Sequence, residues 1–130
     1  MTTNTHIQLV HIKVTSLAEA EEFYDEIFQK IGLSSKDTNE NSITYWGPLG
    51  LMLYEQNDVQ AHIDHNYRLG LVQLSVRLPE KKLVDELYQA LQLKKYTFAW
   101  EPKRFDYSDN YYSFLVFDPD DNKFEFLFDA

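Results

Sequence analysis

The chain has 130 residues, 44% of them hydrophobic and 25% charged, the balance of a globular protein with apolar side chains enough for one core. Twenty-one acidic against twelve basic residues give a net charge of -9, a field that repels phosphate backbones and anionic lipid surfaces and disfavours nucleic acid and membranes as partners. The absence of cysteine excludes disulfides, thiolate metal sites and cysteine nucleophiles, and no apolar run approaches the length that spans a bilayer, so a cytoplasmic location is expected.

In chain order, Gln8 to Thr15 alternates, with Val10, Ile12 and Val14 on one face and His11, Lys13 and Thr15 on the other, the pattern of a half-buried strand. Ser16 stands three residues before Glu19, a capping-box spacing, and Ala20, Phe23, Ile27 and Ile31 follow at helical intervals up to Gly32, which predicts a helix from about Leu17 to Ile31. Ser42 to Trp46 and Leu51 to Glu55 are short β-rich runs around Gly47, Pro48 and Gly50 and read as a hairpin. Residues 57–69 are polar and read as a connector, and His62 and His65 within it have a spacing that would suit a metal only on a helix.

The second half replays the first. Leu71 to Val76 matches Leu9 to Val14 at an offset of 62. Pro79 can serve as the first residue of a helix marked by Leu83, Leu87 and Leu91 and ending near Leu91. Tyr111 to Phe117 and Lys123 to Phe128 then flank the turn Asp118-Pro119-Asp120-Asp121-Asn122, and this hairpin pairs with the earlier one at an offset of 71. The reading is one domain over 1–130, with repeat one at about 7–56 and repeat two at about 70–129, two duplicated halves each too small to close a core.

The opening L-V-H-I-K-V-T-S-L-A-E-A-E-E-F-Y of Leu9 to Tyr24 and the closing Y-Y-S-F-L-V-F-D-P-D-D-N-K-F-E-F of Tyr111 to Phe126 resemble the two most recognisable stretches of the vicinal oxygen chelate superfamily, the glyoxalase, bleomycin-resistance and dioxygenase proteins. The resemblance implies an α+β fold of two βαβββ repeats that curl into a partly open mixed β-barrel with the helices outside. Asp121 stands where the family's closing turn usually has glycine. The resemblance also implies a divalent metal (Zn, Ni, Mn or Fe) held on the concave sheet by first-strand and last-strand residues. Here those positions are His11, Gln73 and Glu125, with Tyr54 or Glu55 as the fourth; Glu55 could serve only if the first hairpin had one residue more or fewer.

Glu125 is the preferred catalytic residue, a carboxylate between apolar neighbours facing the expected hollow, where it would shuttle a proton. Tyr54, Arg77, Tyr107 and Tyr112 are candidates for contact with the ligand, Phe105 and Tyr111 could join a stacking wall, and Trp100 and Arg104 are further candidates. The leading expectation is a glyoxalase-like protein acting on a small oxygenated or carbonyl-containing metabolite, as a metal-dependent lyase or isomerase. The alternative is a metal-free small-molecule or drug-binding protein of the bleomycin-resistance kind, favoured by the incomplete ligand set and the acidic charge. The resemblance further implies a homodimer, which light scattering tests.

Overall fold

The computed structural model describes residues 7–33, 35–47, 50–56 and 71–130. They fall into two compact units divided between Asp58 and Val59. The first contains β1 (Leu9–Val14), α1 (Leu17–Lys30), β2 (Lys36–Thr38), β3 (Ser42–Tyr45) and β4 (Gly50–Glu55). The second contains β5 (Leu74–Arg77), α2 (Lys81–Leu93), β6 (Phe98–Arg104), β7 (Tyr112–Phe117) and β8 (Lys123–Phe128). Each unit is thus βαβββ, and each folds into its own four-stranded sheet, ordered β1-β4-β3-β2 and β5-β8-β7-β6. The outer pairs β1/β4 and β5/β8 are parallel and the remaining pairs antiparallel, so both sheets are mixed, as the repeat reading predicts.

Helix α1 starts where the capping spacing places it. The Ser16 side chain accepts the Glu19 N–H at 3.3 Å, the Glu55 carboxylate accepts the Leu17 N–H at 3.0 Å, and the chain leaves the helix through Gly32 at φ +83. Two of the orphan donors at the helix head are thereby met, and one of them by a strand residue 38 positions away in sequence rather than by the capping box itself. Ala20, Phe23, Tyr24 and Ile27 form the buried stripe, and α1 packs on β3 and β4 through it, each large side chain contributing roughly 1.5–3 kcal/mol of burial. A polar clamp closes the same interface: Lys36 donates to Glu21 at 2.6 Å and to Asp25 at 3.0 Å, and the Tyr45 hydroxyl donates to Asp25 at 2.8 Å.

Helix α2 begins two residues later than expected. Pro79 precedes the cap, Glu80 is the cap without a side-chain hydrogen bond, and Lys81 is the first helical residue. Val84, Leu87 and Leu91 are fully buried toward β6, β7 and β8, where the rings of Tyr88, Phe98, Phe114 and Phe126 interlock.

Strand β6 has a proline, Pro102, in its middle, which argues against a strand in any interior position. It is tolerated because β6 is the outer strand of its sheet and its register against β7 slips twice, between Phe98 and Trp100 and between Trp100 and Lys103.

In the turn between β7 and β8, Asp118 accepts the N–H groups of Asp120 and Asn122 at 2.9 and 2.8 Å, and Asp121 lies in the left-handed region at φ +65. Asp121→Val is therefore expected to lower stability by about 1–2 kcal/mol in urea titration, while Asp121→Gly does not destabilise. A valine variant as stable as the parent would contradict the backbone conformation.

The helix caps, carried through the ladders, set how the two units correspond in sequence. Cap to cap, Ser16 matches Glu80, so β1 and β5 correspond at an offset of 64, not 62, and His11 matches Ser75. Carried from β1 and β5 through the ladders, this puts β4 and β8 at an offset of 73 and β3 and β7 at 71. Glu125 consequently matches Met52.

Candidate functional site

Side chains on β8 alternate, so Phe124 and Phe126 turn to the helix side and Glu125 to the open face of the sheet, where it is only 4% exposed. On that face Ser75 is its partner in the β5 ladder, and Ser113, two residues before its β7 partner Leu115, lies diagonally across from it. Ser75 on β5 donates its hydroxyl to Glu125 Oε1 at 2.7 Å, and Ser113 on β7 donates to Oε2 at 2.8 Å. The Tyr111 hydroxyl adds a third bond to Oε2 at 2.9 Å, and the Gln73 amide a long fourth to Oε1 at 3.5 Å. Two further donors stand behind these: Gln73 Nε2 donates to Ser75 Oγ at 3.1 Å, and Trp100 Nε1 to Ser113 Oγ at 3.3 Å. Burial pushes the Tyr111 hydroxyl well above its ordinary range, and its bond to the carboxylate pushes it further.

Trp100 and Tyr111 also belong to a ring cluster, which joins the polar network to an aromatic surface. Phe105 lies 5.4 Å from Trp100 and stacks almost parallel on Tyr107 at 5.2 Å, and Tyr107 meets Tyr111 edge-on at 4.9 Å. Lys103 Nζ lies over this surface, 5.0 Å from the Phe105 ring centre and 5.8 Å from that of Trp100. Tyr107 is 73% exposed.

The other candidates are distributed more widely. Tyr112 is turned to the helix side, where its hydroxyl donates to Asp85 of α2, and burial with this bond pushes it up to about 12. It supports the core and does not join Tyr107. Arg77 is exposed and pairs with Asp129 at 3.6 Å, while Arg104 donates to the Asp109 carbonyl within its own hairpin. In the first unit, His11 and Tyr54 are exposed, and the parallel register puts His11 beside Met52 and Lys13 beside Tyr54 on one face. Glu55 lies beside Val14 on the opposite, helix-covered face, where its carboxylate caps α1. The two-residue difference between the hairpins preserves faces, so it does not turn Glu55 round. His62 and His65 lie outside the described residues. Ser75 and Ser113 were not singled out by sequence reasoning; their signal is a small polar residue at an open-face position within otherwise apolar strands.

No protein-family model matches the sequence, and no curated protein matches it. Solved structures do. A candidate glyoxalase from Bacillus halodurans superposes with a TM-score of 0.84 at 25% identity, over 97% of this chain and 97% of that one. The fold is that of the vicinal oxygen chelate superfamily. A glyoxalase/bleomycin resistance protein from Albidiferax ferrireducens (TM-score 0.74, 20% identity, 95% of this chain and 98% of that one) has the same fold. So does a lactoylglutathione lyase from Agrobacterium tumefaciens (TM-score 0.68, 20% identity, 97% and 95%).

The vicinal oxygen chelate fold implies a divalent metal, and the donor set tests whether this chain fits one. A carboxylate offers about four lone-pair directions, and the four donors from Ser75, Gln73, Ser113 and Tyr111 fill those of Glu125. A metal has to displace at least one of them. Glu55 is engaged on the other face, and the positions matching His11 and Glu125 in the repeats are Ser75 and Met52, neither a strong ligand for Zn, Ni, Mn or Fe. Among the described residues, no group of three or more His, Asp or Glu side chains is placed to hold an ion. The donors among the described residues do not fit the metal. Among the same residues, no helix is long and apolar enough to cross a membrane.

Proposed function

We propose that this protein binds a small organic molecule without a metal, on the open face of its second unit, and so follows the bleomycin-resistance side of the superfamily and not the metal-dependent glyoxalase side. The observation that carries this reading is the junction of two recognition elements through shared residues. Tyr111 and Trp100 belong both to the hydrogen-bonded network around Glu125 and to the ring cluster with Phe105 and Tyr107. A few convergent polar groups beside an aromatic wall are the usual make-up of a small-molecule site. The superposition on a glyoxalase/bleomycin resistance protein supports it at the level of fold.

The test has two arms. Titration of a library of aromatic fragments, followed by backbone and indole NMR signals, is expected to move Ser75, Trp100, Tyr107, Tyr111 and Ser113 together. Metal analysis after incubation with Zn, Ni, Mn or ferrous ion is expected to give far less than one ion per chain. A stoichiometric ion lost in Glu125→Ala overturns the reading in favour of a metal-dependent lyase or isomerase.

A further inference from the structure

The hydrogen bonds around Glu125 have a direction, and that direction limits what a ligand can offer. A carboxylate only accepts, so the single O–H of Ser75, of Ser113 and of Tyr111 is spent on Glu125. The next donors point the same way, since the Gln73 amide gives one N–H to Ser75 and the other to Glu125, and the Trp100 indole its one N–H to Ser113. Indole has no acceptor, and each hydroxyl has one proton. What these side chains keep for a visitor is therefore lone pairs: on the Tyr111 oxygen, on Ser75 Oγ and on the Gln73 carbonyl. Ser75 is exposed and Gln73 and Tyr111 are half-buried, so these acceptors are within reach.

The charge points the same way. Glu125 is 4% exposed, its four partners are all neutral, and no ion pair joins it among the described residues. Protein dipoles hold the carboxylate, and among the described residues no cation pairs with it. The adjoining rings already attract a cation of the chain itself, Lys103, whose ammonium lies over Phe105 and Trp100. Tyr107, stacked on Phe105 and met edge-on by Tyr111, leaves most of its own surface to solvent at 73% exposure.

Resting on the binding reading above, we infer that this face selects planar organic cations that carry N–H donors, of the arylamidinium or arylguanidinium class, over carbonyl compounds, carboxylates and phosphates. The ring of such a ligand stacks on Tyr107, and its N–H groups meet the outward lone pairs of Tyr111, Ser75 and Gln73 in the field of Glu125. A carbonyl or carboxylate finds no unspent donor on the same side chains and an uncompensated negative charge behind them. The carbonyl-containing metabolite expected from the family resemblance is thus the class this wiring disfavours.

The experiment measures dissociation constants for four ring compounds of similar size: benzamidine, benzamide, benzoate and phenyltrimethylammonium. Benzamidine is expected to bind about tenfold or more tightly than benzamide, with phenyltrimethylammonium, a cation lacking N–H donors, between them and benzoate weakest. Glu125→Gln removes the charge and is expected to bring benzamidine to the level of benzamide. Should that variant fail to fold, Lys103→Met at the exposed edge of the rings serves instead: loss of the competing ammonium tightens benzamidine severalfold and leaves benzamide unchanged. Benzoate or benzamide binding at least as well as benzamidine overturns the cation preference while the binding reading stands. Binding of none of the four, with a silent fragment titration, overturns both.

Discussion

Glu125→Leu is expected to lower the unfolding free energy by about 2–4 kcal/mol, although leucine is apolar, similar in size and placed where 4% of the residue meets solvent. The side chain it removes is the common acceptor of three hydroxyls. Ser75 is exposed and Tyr111 half-buried, so both can turn to water, but Ser113 is 0% exposed and loses its acceptor altogether. One buried unsatisfied donor costs about 1–3 kcal/mol, and the charge-assisted bonds at the other two hydroxyls are lost as well. The check is a double-mutant cycle by urea denaturation. Ser113→Ala in the Glu125→Leu background should recover part of the loss, because the fully buried hydroxyl without an acceptor is then gone, and the recovery is only partial because the Trp100 indole N–H loses its acceptor at Ser113. A neutral or stabilising Glu125→Leu would show that the network contributes nothing to the fold.

Alkali provides the second large effect. Tyr45 and Tyr111 are pushed above their ordinary value of 10.0 by burial and then by their carboxylate partners, and Tyr112 is raised to about 12 for the same two reasons. Lys36 is raised as well, chiefly by its hydrogen bond to Glu21. In each case the folded protein holds the proton more tightly than the unfolded chain. The contribution is complete below the unfolded value and is lost as pH rises through the folded one. Stability should therefore be level from pH 8 to about 10 and then fall. Each tyrosine adds at most about 1.4 kcal/mol per pH unit, and less for Tyr111 and Tyr112, which keep contact with solvent. Urea midpoints at pH 9, 10 and 11 measure the fall, and Tyr45→Phe should make it shallower. An unchanged midpoint at pH 11 would mean that these hydroxyls ionise in the folded protein without penalty.

The alternation of side chains made the βαβββ repeats legible, and with them the faces of nearly every strand. Register was another matter. A pattern of period two is blind to a slip of two residues, and both slips in this chain are of that size: 64 in place of 62 between the first strands, and 73 in place of 71 between the last. His11 was thus aligned with Gln73 when counting back from the helix caps matches it to Ser75, and Glu125 with Tyr54 when the same count, carried through the ladders, gives Met52. Both misalignments leave each residue on its correct face, which is why the open-face character of Glu125 could be read and its partners could not. The short strand β2 was missed because three residues carry no usable period, and β6 because Pro102 interrupts a run in which Phe98 and Trp100 do alternate with exposed neighbours. The hydroxyl network needed the ladder itself, since Ser75 and Ser113 are distant in sequence and meet only through β8.

Pro102 also bears on how this protein behaves at high concentration. A flanking strand normally offers a row of N–H and C=O groups on which a foreign segment can build, and fibrils elongate by repeating that step. Strand β6 has no N–H at Pro102, slips register twice against β7 and carries Lys103 and Arg104 beside the gap. Growth of the second sheet from that flank would stall at its first addition, so the longest of the described strands is a poor template for aggregation.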